Sequence, residues 1–476
     1  MNENKNHLSK VLGRTDIIAI GFGTMVGWSW VMMVTSWINQ AGLEGTLCAF
    51  LLGGMIILAV GLTYGELTSA LPLAGGEFVF TYRAMGKNAA CAVGWIMAMA
   101  YMGVAAWEGI SIATAIDFVL PIPSVFPLWE VAGYQVYLSW VVVGVCGALI
   151  ITLLNFFGMR PAILFQVMAA AALMIVVLII FFGGISFGSV ENIGKPLTSF
   201  EGFSYVLLMV PAMLIGFDVI PQSAEEMNIG PRNVGKMVLV CIVVSMTWYF
   251  VLIIGVSLAA PFEIRDSGII PMAEVAEYLF GGEIFSVLVV LGGIFGILTS
   301  WNGFFMGATR LIFAMGRAGV IPAVFGRVHK KYGSPYAAVL LVGAICMAAP
   351  FLGMNALNWF MNTSAMCALF SYIFVVASFV ILKKKEPELQ RPLRIGGGIG
   401  FGVLILVVIC SYFILYMASN FSVSEPNPEF IIVFLWLLLG AVMVFAGRRA
   451  SNVSRKEQEL LIFGEHLARK GGKYEK

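Results

Sequence analysis

A bilayer is crossed by about 20 residues of helix, and this chain is mostly a succession of apolar runs of that length. Twelve can be laid out, with edges near 16–39, 46–70, 89–119, 136–157, 162–187, 201–222, 237–260, 284–314, 336–353, 357–382, 399–419 and 427–447. Charged residues make up 11% of the chain, against about 25% in soluble domains. They cluster between the runs, so the chain reads as an all-α polytopic membrane protein.

The first run is an odd membrane helix. Its centre, Gly21-Phe22-Gly23-Thr24-Met25-Val26-Gly27-Trp28-Ser29-Trp30, carries three glycines, a threonine and a serine. Glycine costs a helix roughly 1 kcal/mol relative to alanine. Backbone that leaves the helix at membrane depth is tolerated only where it lines a cavity or is buried in protein. The sixth run is interrupted too, by Pro211, Gly216, Asp218 and Pro221. Two broken spans in matching places point to a secondary transporter with its site between the breaks. The alternative is that these glycines only let helices pack closely.

The basic residues predict the orientation. With the amino terminus inside, all of the 28 Lys and Arg except Lys195 and Arg265 lie in inner loops, inner helix ends or tails. The positive-inside rule then places both termini in the cytoplasm, and the expected location is the cytoplasmic membrane. A polar start without a small-residue cleavage site makes the first run a retained span rather than a signal peptide. The seven cysteines fall far apart inside spans without a CxxC pair, so no metal site or disulfide framework is expected. No cofactor is implied, and a net charge of +2 gives no argument for nucleic acid. The tail patch Glu457-Gln458-Glu459-Leu460-Leu461-Ile462-Phe463 reads either as a surface-lying amphipathic helix or as solvated tail.

Several motifs then occur in order. Span 2 ends in Tyr64-Gly65-Glu66-Leu67-Thr68-Ser69-Ala70-Leu71-Pro72-Leu73-Ala74-Gly75-Gly76-Glu77-Phe78. Span 6 runs through Gly216-Phe217-Asp218 to Ala224-Glu225-Glu226 and Pro231-Arg232-Asn233. Span 8 ends in Arg310-Leu311-Ile312-Phe313-Ala314-Met315-Gly316-Arg317-Ala318-Gly319, with Gly333-Ser334-Pro335 beyond it. Asn155-Phe156-Phe157-Gly158-Met159-Arg160 precedes span 5, and Arg391-Pro392-Leu393-Arg394 follows span 10. This set, covering about residues 14–395, resembles the amino acid–polyamine–organocation (APC) permeases. The resemblance implies the leucine-transporter fold: a 5+5 inverted repeat with broken spans 1 and 6, plus two additional helices. The expected organisation is a cytoplasmic segment 1–15, a core 16–395, spans 11 and 12 within 396–447, and a cytoplasmic tail 448–476. The acids Glu66, Glu225 and Glu226 read as ion-pair partners of Arg83, Arg232 and Arg317 at the inner helix ends.

The resemblance also implies a substrate held at the two breaks, which spacing puts at Met25-Val26-Gly27-Trp28-Ser29 and Ile215-Gly216-Phe217-Asp218, with Phe304 lining the path. The chain departs from the family where Gly27-Trp28-Ser29-Trp30-Val31 replaces G-[ST]-G-[IV]-[FI]. Tryptophan faces attract cations, so Trp28 either meets the substrate or turns toward lipid or a neighbouring span. Glu108, in the middle of span 3, is a functional hypothesis by default, because a carboxylate at the bilayer centre costs at least a few kcal/mol. It could pair with a substrate ammonium, carry a proton or be a structural acid. Asp218 is the second proton-coupling candidate. Thr299 and Ser300 are weak sodium candidates, since such hydroxyls more often bond their own helix. Leu173 stands where proton-coupled members often have a lysine.

Three readings follow. The first is a secondary permease or exchanger for an amino acid, with a small amine such as ethanolamine as the alternative within that class. The second is a membrane sensor on a transporter fold. The third, an intramembrane enzyme, lacks a catalytic constellation, because His7, His329 and His466 all lie outside the spans. Oligomeric state is left open.

Overall fold

The structure, a computed structural model, describes residues 8–195, 197–421, 427–450 and 454–467. The start of the amino-terminal segment with His7, and the end of the tail beyond residue 467, lie outside the described residues.

The apolar runs form helices close to the lengths read from sequence. α1 (Arg14–Met25) and α2 (Ser29–Ala70) are followed by the short α3 (Gly76–Met85) and the long α4 (Lys87–Val119). A two-stranded hairpin, β1 (Pro127–Val131) with β2 (Tyr134–Tyr137), leads into α5 (Leu138–Phe156) and α6 (Met159–Phe187). α7 (Phe200–Met213) and α8 (Val219–Gln222) flank the second break, and α9 (Pro231–Ala259) follows. Two short helices, α10 (Phe262–Arg265) and α11 (Pro271–Phe280), precede α12 (Glu283–Arg317). The chain then runs through α13 (Tyr336–Ala348), α14 (Ala356–Lys385), α15 (Gly398–Asn420), α16 (Pro428–Ala450) and α17 (Arg455–Leu467). Nine helices among the described residues are long and apolar enough to cross a membrane; α7 and α13 are shorter apolar helices. This is an all-α membrane protein with the APC fold.

One difference from the sequence reading is α2. It joins the second half of the expected first span to the whole second span in one 42-residue element. Its backbone still turns between them, at Gly42 (φ 74°, ψ 173°), a left-handed φ that glycine adopts without penalty.

α2 lies along α9, and α4 along α12. Elsewhere in the bundle, interhelical polar contacts act where no hydrophobic gradient exists to drive association. Asn155 Nδ2 donates to Asn302 Oδ1 (2.9 Å), Asn302 Nδ2 to Gln166 Oε1 (2.8 Å), and Gln166 Nε2 to the carbonyls of Ala19 (3.2 Å) and Thr299 (3.1 Å). This amide chain ties α5, α12 and α6 to the backbone of α1. α16 is fixed to α4 by the stacked rings of Trp95 and Trp436, whose indole N–H groups each donate to the other's carbonyl (2.7 and 2.8 Å).

The face on which α1 begins and α17 docks carries a set of ion pairs. Arg310 meets Glu226 (2.9 Å), both almost fully buried, and Arg317 meets Glu225 (2.9 Å). Glu66 takes Lys383 (3.3 Å) and Arg391 (3.2 Å), and Arg83 pairs with Glu386 (2.9 Å). All three acids are ion-paired as expected, but of the three arginines named from sequence only Arg317 meets one of them. Arg232 opens α9 with its side chain exposed, so it is no partner for buried Glu226. The lead-in to α1 also bonds to the segment after α8: Val11 and Leu12 N–H donate to the Glu226 carbonyl, and Asn228 N–H to that of Leu12. The half-helices α1 and α8 are thereby linked through the segments beside them. α17 docks on the protein: Gln458, Ile462 and Phe463 are buried, and Phe463 lies against Tyr82 and under the Arg83 guanidinium.

Candidate functional site

The first break is three residues long. α1 ends at Met25, Val26 leaves the helix (φ −118°, ψ 84°), and α2 begins at Ser29 after Gly27 and Trp28. The second spans 214–218 between α7 and α8, and Pro211 inside α7 lies one turn ahead of it. Gly216 has φ +126°, which an L-residue rarely adopts, and a Cβ there would lie 3.0 Å from Met25 N and from Thr24 C. The two breaks therefore touch, backbone to backbone.

Glu108 of α4 meets the first break. A Cβ on Gly27 would lie 2.9 Å from Glu108 Oε1 and 3.0 Å from Ser300 Oγ. Ser300 of α12 donates to the Glu108 carboxylate. Glu108 is 2% exposed, and its second oxygen, Oε2, has no hydrogen-bond partner. Leaving such a group unsatisfied in the interior is costly, so a ligand donor that reached it would gain a charge-assisted bond.

The structure brings together only part of the set expected from sequence. Gly27, Glu108 and Ser300 meet, and Gly216 backs onto Met25. Ser300, expected as a sodium candidate, is the partner of Glu108. Thr299 bonds its own helix, donating to Phe295 and Gly296 carbonyls (both 3.0 Å). Trp28 packs over Gly293 of α12, where an added Cβ would meet its ring, and so faces a neighbouring span rather than lipid. Ser29 Oγ lies 3.5 Å from Tyr249 OH, and Met25 Sδ accepts from Ser245 (3.4 Å). Ile215 is buried at the break, and Phe304 lies beside the Tyr101 ring (6.0 Å). Phe217 turns away from Glu108 into a cluster with Tyr64 (5.2 Å) and Tyr372 (5.4 Å). Asp218 is engaged within its own break, accepting from Gly216 N–H (3.1 Å) and Tyr372 OH (2.6 Å). Leu173 is fully buried and apolar. Sequence reasoning missed Gln166, Glu77 and Gln222. A buried amide or carboxylate inside an apolar helix was the available signal.

The amino acid permease family profile matches residues 12–444, nearly the whole chain. The chain belongs to the amino acid permease family. Among relatives of this permease, a branched-chain amino acid permease of Bacillus subtilis is 23% identical over 470 residues, covering 92% of this chain and 93% of the relative. A methylthioribose transporter of the same organism is 23% identical, covering 94% and 95%. An aspartate-proton symporter, also from B. subtilis, is 25% identical, covering 90% and 84%. These relatives carry an apolar amino acid, a sugar thioether and an acidic amino acid, so the fold accommodates different cargo in one frame.

Gly27 gives a direct test of the break. Gly27→Val adds a β-branched side chain whose Cβ already collides with Glu108 and Ser300. Uptake into vesicles is expected to be almost abolished while the variant still inserts and purifies as a folded protein. Near-normal uptake would reduce Gly27 to a packing residue.

Proposed function

We propose that this protein is a secondary permease that moves an amino acid across the cytoplasmic membrane by alternating access. The observation that carries the reading is the meeting of two helix breaks beside Glu108, a buried carboxylate with one free oxygen. The first turn of α2 has N–H groups without intrahelical partners and the positive end of a helix dipole, which suits a carboxylate. Glu108 Oε2 suits an ammonium. Closure comes from the linked inner half-helices and the ion pairs beside them. Opening toward that face requires those pairs to part.

A small amine is the second reading, and one observation favours it. Glu108 Oε1 sits against Gly27, at the same helix end that would receive a substrate carboxylate. An amine without a carboxylate avoids that like-charge contact. Competition by a panel of amino acids and simple amines against labelled uptake in proteoliposomes separates the two. The leading reading expects α-amino acids to compete and amines lacking a carboxylate to fail.

The basic residues on the face with both chain ends support a cytoplasmic assignment for that face. A test places single cysteines at Gly282 or Lys331 in a background without the seven native cysteines. A membrane-impermeant thiol label is expected to reach Gly282→Cys in intact cells and Lys331→Cys only after permeabilisation. Labelling of both from one side would overturn the assignment.

A further inference from the structure

Running from the second break along α8 lies a second buried polar cluster, most of which the substrate reading does not use. Glu77 stands in the first turn of α3, beside Gln222 of α8 and Tyr101 of α4. Gln222 Nε2 donates to Glu77 Oε2 and to Tyr101 OH (3.3 Å). Asp218 and Tyr372 of α14 form the other half, bonded at 2.6 Å, and Tyr64 of α2 completes the ring. Every one of these side chains is fully buried. Tyr64 OH stands against the Glu77 carboxylate, and Gln222 Oε1 has no hydrogen-bond partner. Glu77, Asp218 and the three tyrosines lie within electrostatic reach of one another, and among the described residues neither carboxylate forms an ion pair. α12 faces the cluster with Gly307, against Tyr101 and Val219.

We propose that Glu77 and Asp218 form a cation site distinct from Glu108, and that its ligand is the proton coupled to transport. This rests on the permease reading and names its driving ion. Glu77 bonds Gln222, four residues on from Asp218 in the same turn of chain, and two carboxylates shut in a low-dielectric interior with no ion pair among the described residues favour taking up a proton. A proton suits the ring better than a metal ion, because an N–H donor, Gln222 Nε2, already points between Glu77 and Tyr101. Gln222 Oε1, buried and unpartnered, supplies an acceptor for it. The placement also explains coupling. Glu77 rides on α3 and Gln222 on α8, while Asp218 holds the second break. With the proton present, α3 and α8 stay together and the lower face stays closed. Once the carboxylates open to that face the proton leaves, and their repulsion separates the two helices.

The test uses the purified full-length protein in proteoliposomes with an entrapped pH dye. Labelled uptake by the parent is expected to carry protons inward, and to persist when Na⁺ and K⁺ are replaced by N-methylglucamine. Glu77→Gln is expected to retain counterflow exchange within about twofold yet lose accumulation driven by a pH gradient, and Glu77→Asp to restore part of it. Uptake by the parent that moves no protons, or that stops without alkali cations, would overturn the proposal whatever the variants do. So would a Glu77→Gln protein that still accumulates substrate on a pH gradient. Counterflow in the parent together with net uptake that leaves the dye silent defeats the proton site alone, whereas absence of counterflow in the parent defeats the permease reading and the proton site with it.

Discussion

Glu108→Gln is expected to lower substrate affinity by two to three powers of ten while leaving the protein folded. The substitution keeps the shape and the Ser300 contact but deletes the charge beside Gly27. Removing one partner of a buried ion pair costs about 3–5 kcal/mol, and each 1.4 kcal/mol is a factor of ten. The loss should be the same in pure exchange without any gradient, because it is a loss of binding. If exchange survived and only gradient-driven accumulation failed, Glu108 would be the proton carrier and the ammonium pairing would be wrong. Wild-type affinity in a folded variant contradicts the ammonium pairing. Binding to purified protein, read beside counterflow, distinguishes these outcomes.

Arg310→Met is expected to be the most destabilising single change on the closed face. Arg310 and Glu226 are 2% and 3% exposed at the side chain, so removing the guanidinium strands a carboxylate in the interior at a cost of about 3–5 kcal/mol. Glu226 is also where the lead-in to α1 bonds to the segment after α8, so the damage should extend to closure. The double variant Arg310→Met with Glu226→Gln removes the stranded charge and should recover most of the lost thermal stability in detergent. By contrast, Arg83 and Glu386 lie closer to solvent, at 8% and 18%. Their loss should matter much less, since partly exposed pairs are screened. A single Arg310→Met variant as stable as the parent would show that the pair contributes nothing net.

The frame was legible because lipid imposes long apolar runs, and a run has visible ends. The expected span 89–119 is observed as Lys87–Val119, and 399–419 as Gly398–Asn420. The breaks were legible for the same reason, since glycine and proline in an apolar helix stand out against it. Partnership was not. Glu226 finds Arg310, 84 residues away, and Gln222 finds Glu77, 145 residues away. Hydropathy has no information on contacts of that separation. α3 carries no span signal in the sequence, because its ten residues are too few to cross a bilayer. The tail patch looked amphipathic, but its sequence could not say whether lipid, water or α3 would cover Ile462 and Phe463.

The central claim, that this chain exchanges a small solute across a membrane between two access states, is tested most directly by counterflow. Proteoliposomes loaded with an excess of unlabelled amino acid are placed in the same amino acid, labelled, at low concentration. The account predicts a transient accumulation of label far above protein-free vesicles, with the label recovered chemically unchanged and the overshoot lost in Gly27→Val. No overshoot for any amino acid or amine across the panel, or recovery of altered solute, would contradict it.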